Sequence, residues 1–503
     1  MPAIRRLPFL VILTGVFALA MLVPMAHSIR LGDYFTARVF LDSAALFLIL
    51  TGFIAFATAT YQARVTAQGH LVSLMAAFIL LPVMLAYPLT FLMPDTSFFA
   101  LYFEMLSSLT TTGATLFDPS QLIEPVHLWR ALVAWLGGFL VLVSAVSIMA
   151  PLNLGGFEVY ARGSKTTSAR DLVQIKTADV SERLVNFSRL LAPVYLVITG
   201  LLALGLMLNG ERSFAAVVHA MSTISTSGIS GTGGLAGNGA GVSGEILVFI
   251  FLFFAVSRVT FSFETGFPSL GKILRDHEFR LALGVVTVLP VILFLRHWIG
   301  AFGTSAQGNA TEALKALWGS AFTVISFLTT TGFESVYWDA SQNWSGLHTP
   351  GIFLIGLAVM GGGVATTAGG VKLLRVYALY QHSRRELQKL TFPSSVGGAG
   401  RTERSIRREG AYVAWIFFML FAISLALVFL ALTLTGLTFV QAIAFGVSAL
   451  ATTGPLAGMI LGESTTYADL GTWGRAIVSV TMILGRMETL AIIALFNPEF
   501  WRS

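Results

Sequence analysis

Three features of the sequence predict an all-α integral membrane protein. Its expected plan is four span–pore-helix–span units in one chain, arranged with pseudo-fourfold symmetry around a central pore, plus two extra N-terminal transmembrane helices. The first feature is composition: of 503 residues, 55% are hydrophobic and only 11% are charged, against roughly 25% charged in an ordinary soluble domain. The second is a series of apolar runs of about 20 residues, the length a helix needs to cross the hydrocarbon. The third is a seven-residue motif, S-x-[LI]-x-T-[TS]-G, that occurs four times.

Composition already excludes several classes. A mean hydropathy of +0.79 and so few charges rule out a soluble enzyme, a nucleic-acid-binding protein and a disordered chain. The absence of cysteine excludes disulfides, thiolate metal sites and Cys nucleophiles. The eight histidines form no H-x-x-x-H pair, and no phosphate loop or G-x-S-x-G elbow is present. A membrane-embedded enzyme would need a clustered nucleophile and base, and none is visible.

Ten spans are predicted, near 7–28, 39–60, 70–92, 127–150, 187–209, 245–263, 281–300, 346–360, 411–435 and 473–496. The first follows Arg5 and Arg6 and ends at Met25-Ala26-His27-Ser28, as a signal peptide would. Its apolar run exceeds the 7–15 residues usual there, which favours an uncleaved helix. Placing the N-terminus inside puts roughly two-thirds of the Lys and Arg residues on the inner side. The net charge of +6 is then a consequence of topology, with both termini cytoplasmic, and no nucleic acid is needed to explain it.

Four shorter apolar segments remain, 97–110, 213–225, 313–329 and 438–451. Each is too short to span, and each ends in the repeated motif. The copies are Ser107 to Gly113, Ser222 to Gly228, Ser326 to Gly332 and Ser448 to Gly454, with the final glycines 104 to 122 residues apart. Re-entrant segments of this length are tolerated only where they line a protein-buried or water-filled cavity. A dehydrated alkali cation needs oxygen ligands in place of water, and rings of backbone carbonyls supply them. The candidate ion ligands are Thr111, Thr112 and Gly113; Thr226, Ser227 and Gly228; Thr330, Thr331 and Gly332; and Thr452, Thr453 and Gly454. The short helix before each motif points its negative end at the ion. Asp118, Glu334, Asp339 and Glu463 lie just beyond the turns, where they raise the local cation concentration. Small-residue packing of helices is the plainer account of any one such tract, but not of four in register.

At these residues the chain resembles the TrkH/KtrB/HKT superfamily of potassium transporters, from about residue 70 to the C-terminus, and its two extra N-terminal spans are similar to the bacterial TrkH branch. The resemblance implies the following domains: 1–69, the extra helices; 70–186, a first pore unit and inner loop; 187–280, a second; 281–410, a third with a gating loop and cytosolic linker; and 411–503, a fourth. It implies potassium uptake across a bacterial plasma membrane, with K+ bound in the filter and no organic cofactor in this chain. It also implies a homodimer and a cytosolic ring of nucleotide-binding regulatory subunits, for which the basic stretch from Lys372 to Arg408 is a candidate docking surface. Ser227 stands where the family often has glycine.

Two further stretches match. Gly361-Gly362-Gly363-Val364-Ala365-Thr366-Thr367-Ala368-Gly369-Gly370-Val371-Lys372 is similar to the family's intramembrane gating loop, with Ala365 at a usual glycine position. So many glycines make a poor helix interior, each costing about 1 kcal/mol relative to Ala. Leu484-Gly485-Arg486-Met487-Glu488 is similar to a motif whose arginine sits in the pore below the filter, and an intramembrane arginine is functional by default. Arg486 is instead a helix-holding ion pair if a carboxylate faces it, though Glu488, two residues on, does not share its face. Glu104 is expected either to bond the backbone around the first filter or to stand at its rim. His219 reads as a hydrogen-bonded pore-helix residue. Arg258 either snorkels to the inner surface or pairs with Glu264. The competing function is a secondary solute or sodium transporter with a midplane site, which would show two inverted halves rather than four parallel copies.

Overall fold

The computed structural model describes residues 8–58, 67–151, 154–159, 180–235, 239–257, 270–274, 276–300, 310–346, 350–391, 408–462 and 465–488. Among these the chain is helical, with no strand. Arg5, Arg6, Arg258, Glu264, Glu463 and most of the basic stretch between 392 and 407 lie outside the described residues.

Two helices, α1 (Phe9–Ala20) and α2 (Leu22–Arg30), form one long apolar rod with α3 (Tyr34–Thr58) beside it. The seam at Met21 has a local cause: Pro24 carries no N–H to donate to the carbonyl of Ala20. The span, short helix, span order then recurs four times. It runs α4 (Ala67–Leu92), α5 (Phe98–Leu109), α6 (Glu124–Ser144); then α7 (Val180–Leu208), α8 (Ser213–Ser225), α9 (Gly241–Leu252). The third set is α10 (His277–Gly300), α11 (Ala310–Leu328), a surface helix α12 (Trp338–Ser345), and a divided span α13 (Pro350–Met360) and α14 (Leu373–Thr391). The fourth is α15 (Arg408–Thr433), α16 (Phe439–Leu450), α17 (Leu456–Leu461) and α18 (Thr472–Met487).

Seven of the ten predicted spans are helices long and apolar enough to cross a membrane among the described residues. The other three are shorter. The span expected at 245–263 is helical from Gly241 through a 3-10 turn ending at Ala255, with the residues from 258 outside the description. That at 346–360 begins only at Pro350 and ends, as expected, at Met360, with 347–349 outside the described residues. That at 473–496 is helical to Met487 and leaves helical geometry at Glu488, whose φ is +61°.

The short helices form the interior. The last seven residues of α5 are all buried, as are the last seven of α16. The large apolar side chains that remain exposed, such as Phe56, Leu208 and Ile352, lie on apolar helices and suit a lipid solvent, where exposed polar backbone is not tolerated. Glycine permits the tightest contacts. A side-chain carbon added at Gly137 of α6 would collide with the carbonyl of Leu109, and one at Gly485 of α18 with that of Leu450. The two carbonyls occupy the same place in the first and fourth motifs. Gly137→Ala or Gly485→Ala should therefore lower the thermal unfolding midpoint in detergent, by about 1–3 kcal/mol of overpacking each. Gly52→Ala and Gly200→Ala, where the same space is open, should not.

Candidate functional site

Each short helix ends in the same hydrogen-bonded turn. Counting back from the motif's glycine, the N–H one residue before it donates to the carbonyl six before. These bonds are Thr112 to Ser107, Ser227 to Ser222, Thr331 to Ser326 (each 2.9 Å) and Thr453 to Ser448 (2.8 Å). The N–H two before the glycine donates to the carbonyl five before: Thr111 to Ser108, Thr226 to Thr223, Thr330 to Phe327 and Thr452 to Ala449. This is the Schellman pattern, in which the residue just past the helix takes a left-handed conformation, usually as glycine. Here that residue is a threonine four times, with φ of +52° at Thr111, +54° at Thr226, +59° at Thr330 and +53° at Thr452. A β-branched residue there is a genuine outlier and costs about 1–3 kcal/mol. Four such outliers at corresponding positions make these turns the candidate site.

The turns close into a ring. A carbon added at Gly113 would strike the carbonyl of Ser227, one at Gly228 that of Thr331, one at Gly332 the ring of Pro455, and one at Gly454 the backbone of Gly113 and Ala114. Copy one thus meets two, two meets three, three meets four, and four meets one. Thr111, Thr112, Thr226, Ser227, Thr330, Thr331, Thr452 and Thr453 are all buried, with the negative ends of the short helices directed at them. The copies are not identical. Gly113, Gly228 and Gly332 have positive φ and Gly454 does not. Its N–H instead donates to the carbonyl of Thr112 at 2.6 Å.

Each strand leaving the ring is tied to a buried side chain. Glu104 accepts from the N–H of Leu116 (3.1 Å) and pairs with Arg130 (2.6 Å). The His219 ring meets Glu211 at 2.5 Å and the hydroxyl of Ser230 at 2.7 Å. Glu245 accepts from Trp318 Nε1 and Ser335 Oγ (each 2.8 Å) and from the N–H of Val336 (2.5 Å). In the fourth copy the Tyr467 hydroxyl donates to the carbonyl of Gly454 at 3.0 Å. Sequence reasoning singled out Glu104 and His219 but missed Arg130, Glu211, Glu245 and Tyr467. The signal for Arg130 and Glu245 was present, since both are ionisable residues inside apolar helices. Further out, protein surrounding Glu334 and, after it, the charge of Asp339 raise the Glu334 carboxyl above its ordinary range, though solvent reaches it. Asp118 is held below that range by the Ser120 N–H and hydroxyl.

The segment 361–372 packs against the ends of the short helices. Gly361, Ala365, Gly370 and Lys372 all have positive φ, Ala365 at +54°, the conformation for which glycine is suited. The Gly369 N–H donates to Thr330 Oγ1 (2.8 Å), and Gly369 lies against the Thr452 hydroxyl and the Ala451 carbonyl. Thr367 Oγ1 donates to the carbonyl of Ile224 (3.2 Å). The segment therefore touches copies two, three and four. Gly363 donates to the carbonyl of Ala255 and Val364 to Glu278, while Thr366 closes a turn onto the Gly363 carbonyl. Gly362 packs on that same Ala255 carbonyl.

Arg486 Nη1 donates to the carbonyl of Thr367 at 2.7 Å, and its Nε and Nη2 have no protein partner among the described residues. Glu488 pairs with Arg375 instead (2.7 Å), whose guanidinium lies 3.6 Å from the centre of the Phe417 ring. The Lys372 ammonium donates to the carbonyl of Ala368.

A family model described as TrkH, cation transport protein, matches residues 36–234 and 274–503. The Trk system potassium uptake protein TrkH of Escherichia coli (strain K12) is 30% identical over 413 residues, 82% of this chain and 81% of the relative. The Trk system potassium uptake protein TrkG of the same organism is 26% identical over 504 residues, 98% of this chain and 97% of the relative. The crystal structure of the potassium transporter TrkH from Vibrio parahaemolyticus aligns over 99% of both chains with a TM-score of 0.79 at 23% identity, a shared fold.

The Glu104–Arg130 pair has a measurable consequence. Glu104→Ala leaves a guanidinium buried and without its carboxylate, at a cost of about 3–5 kcal/mol. Thermal unfolding in detergent should register that loss, and Glu104→Ala combined with Arg130→Met should recover most of it.

Proposed function

The chain belongs to the TrkH family of cation transport proteins, and from the geometry of its site we propose that it takes up potassium across the plasma membrane, as part of a multi-component system. The observation that carries this reading is the closed ring of four threonine turns. Potassium leaves water at the acidic outer mouth, and oxygens of Thr111, Thr112 and Gly113 and their counterparts in the other copies replace its hydration shell. The segment 361–370 is the gate. It occupies the inner side of the ring and bonds the hydroxyl of Thr330, one of the four strained threonines. Arg486 adds a positive charge whose partner is a carbonyl rather than a carboxylate, so it opposes a cation arriving from the filter. The reading extends to a homodimer whose basic inner loops, around Lys372 to Arg408, dock a nucleotide-binding ring. Both chain termini face the cytoplasm.

Two measurements test this reading. Gly113→Ser places a side chain where the Ser227 carbonyl lies and should lower the potassium-to-sodium flux ratio several-fold in proteoliposomes; an unchanged ratio counts against the filter. Arg486→Ala should raise potassium flux in the same assay, and unchanged flux removes the barrier role.

A further inference from the structure

We propose that Tyr467 is a positioning residue of the filter, one that sets how strongly the ring discriminates potassium from sodium by holding the Gly454 carbonyl in place. The proposal rests on the filter reading above. It starts from an asymmetry in the sequence. Three motifs are followed by Ala114, Ile229 and Phe333, and the fourth by Pro455. Proline restricts the backbone of the residue before it, and Gly454 is the one motif glycine without a positive φ.

Both polar groups of Gly454 are committed to protein. Its N–H donates to the Thr112 carbonyl at 2.6 Å, and its carbonyl accepts the Tyr467 hydroxyl at 3.0 Å and the Ala457 N–H at 3.2 Å. Among the described residues no hydrogen bond reaches the carbonyls of Gly113, Gly228 or Gly332. The ring at this level has three carbonyls with no such bond and a fourth tethered from outside. The tether is stiff. The buried Tyr467 ring lies 4.9 Å from the Phe445 ring of α16 and 6.1 Å from the Phe103 ring of α5, which places it between the fourth and first short helices, at the seam where Gly454 meets Thr112. The turn that presents it is closed by the Thr466 N–H donating to Asp469 Oδ2 (2.7 Å) and by Arg475 Nη2 donating to the Ala468 carbonyl (2.8 Å).

A carbonyl cage favours the larger ion when its oxygens resist drawing inward around the smaller one. Tyr467 supplies that resistance at one seam. Removing the hydroxyl while keeping the ring leaves the Gly454 carbonyl held by the longer Ala457 N–H bond alone, and so less able to resist drawing inward around sodium.

The experiment is Tyr467→Phe in the full-length protein, reconstituted in proteoliposomes with potassium and sodium flux measured separately, beside wild type and Gly113→Ser. The expected result is a potassium-to-sodium ratio roughly fivefold lower, the factor that follows from one ordinary hydrogen bond, with potassium flux itself little changed. A lowered ratio in both variants supports the proposal. An altered ratio in Gly113→Ser with none in Tyr467→Phe overturns the proposal and leaves the filter standing. An unchanged ratio in both overturns the filter reading itself. A fall in both fluxes together in Tyr467→Phe, at constant ratio, makes Tyr467 merely structural and overturns the proposal. Should Tyr467→Phe fail to accumulate, Asp469→Ala loosens the same turn and should move the ratio in the same direction; no movement there overturns the proposal.

Discussion

A helix that stops in the middle of a hydrocarbon layer leaves its last carbonyls without partners, and everything at the centre of this protein depends on how those carbonyls are satisfied. Four times the chain turns back on itself, so that two N–H groups beyond the helix end serve two of its last carbonyls. The turn requires a left-handed residue, and the sequence supplies threonine where glycine would be easier. Glycine is reserved for the place where neighbouring copies approach too closely for any side chain.

The buried charges around the ring are mostly engaged. Glu104 pairs with Arg130, and Glu245 accepts from a backbone N–H, an indole and a hydroxyl. Arg375 has Glu488. Arg486 instead has the carbonyl of Thr367, in the segment 361–372. On the reading proposed above, that charge makes it costly for a second cation to sit beside it.

Much of this was legible in the sequence because it is local. The short helices begin and end within three residues of the segments read from apolarity alone, and the glycine-rich break in the third unit falls where propensity puts it. The difference between the copies was not legible. The motif is a match of seven letters, whereas the conformation of Gly454 is set by the eighth, Pro455, and by a tyrosine thirteen residues on. The ties of Glu245 to Val336 and of Arg375 to Glu488 join positions 91 and 113 residues apart, and no periodicity encodes such pairs. The shortened spans have the same origin, since hydropathy measures how apolar a run is and not where its helix breaks.

Joining four quarters in one chain removes a restriction that binds a pore made of identical subunits, where every substitution enters four times. Here the third quarter alone carries the break at 361–372, and its hydrogen bonds and close packing reach the second, third and fourth turns, with none to the first among the described residues. The segment is inserted from one flank rather than from all four. If it is the gate proposed above, clearing the axis takes the withdrawal of one arm, and the other three quarters can stay still while it happens.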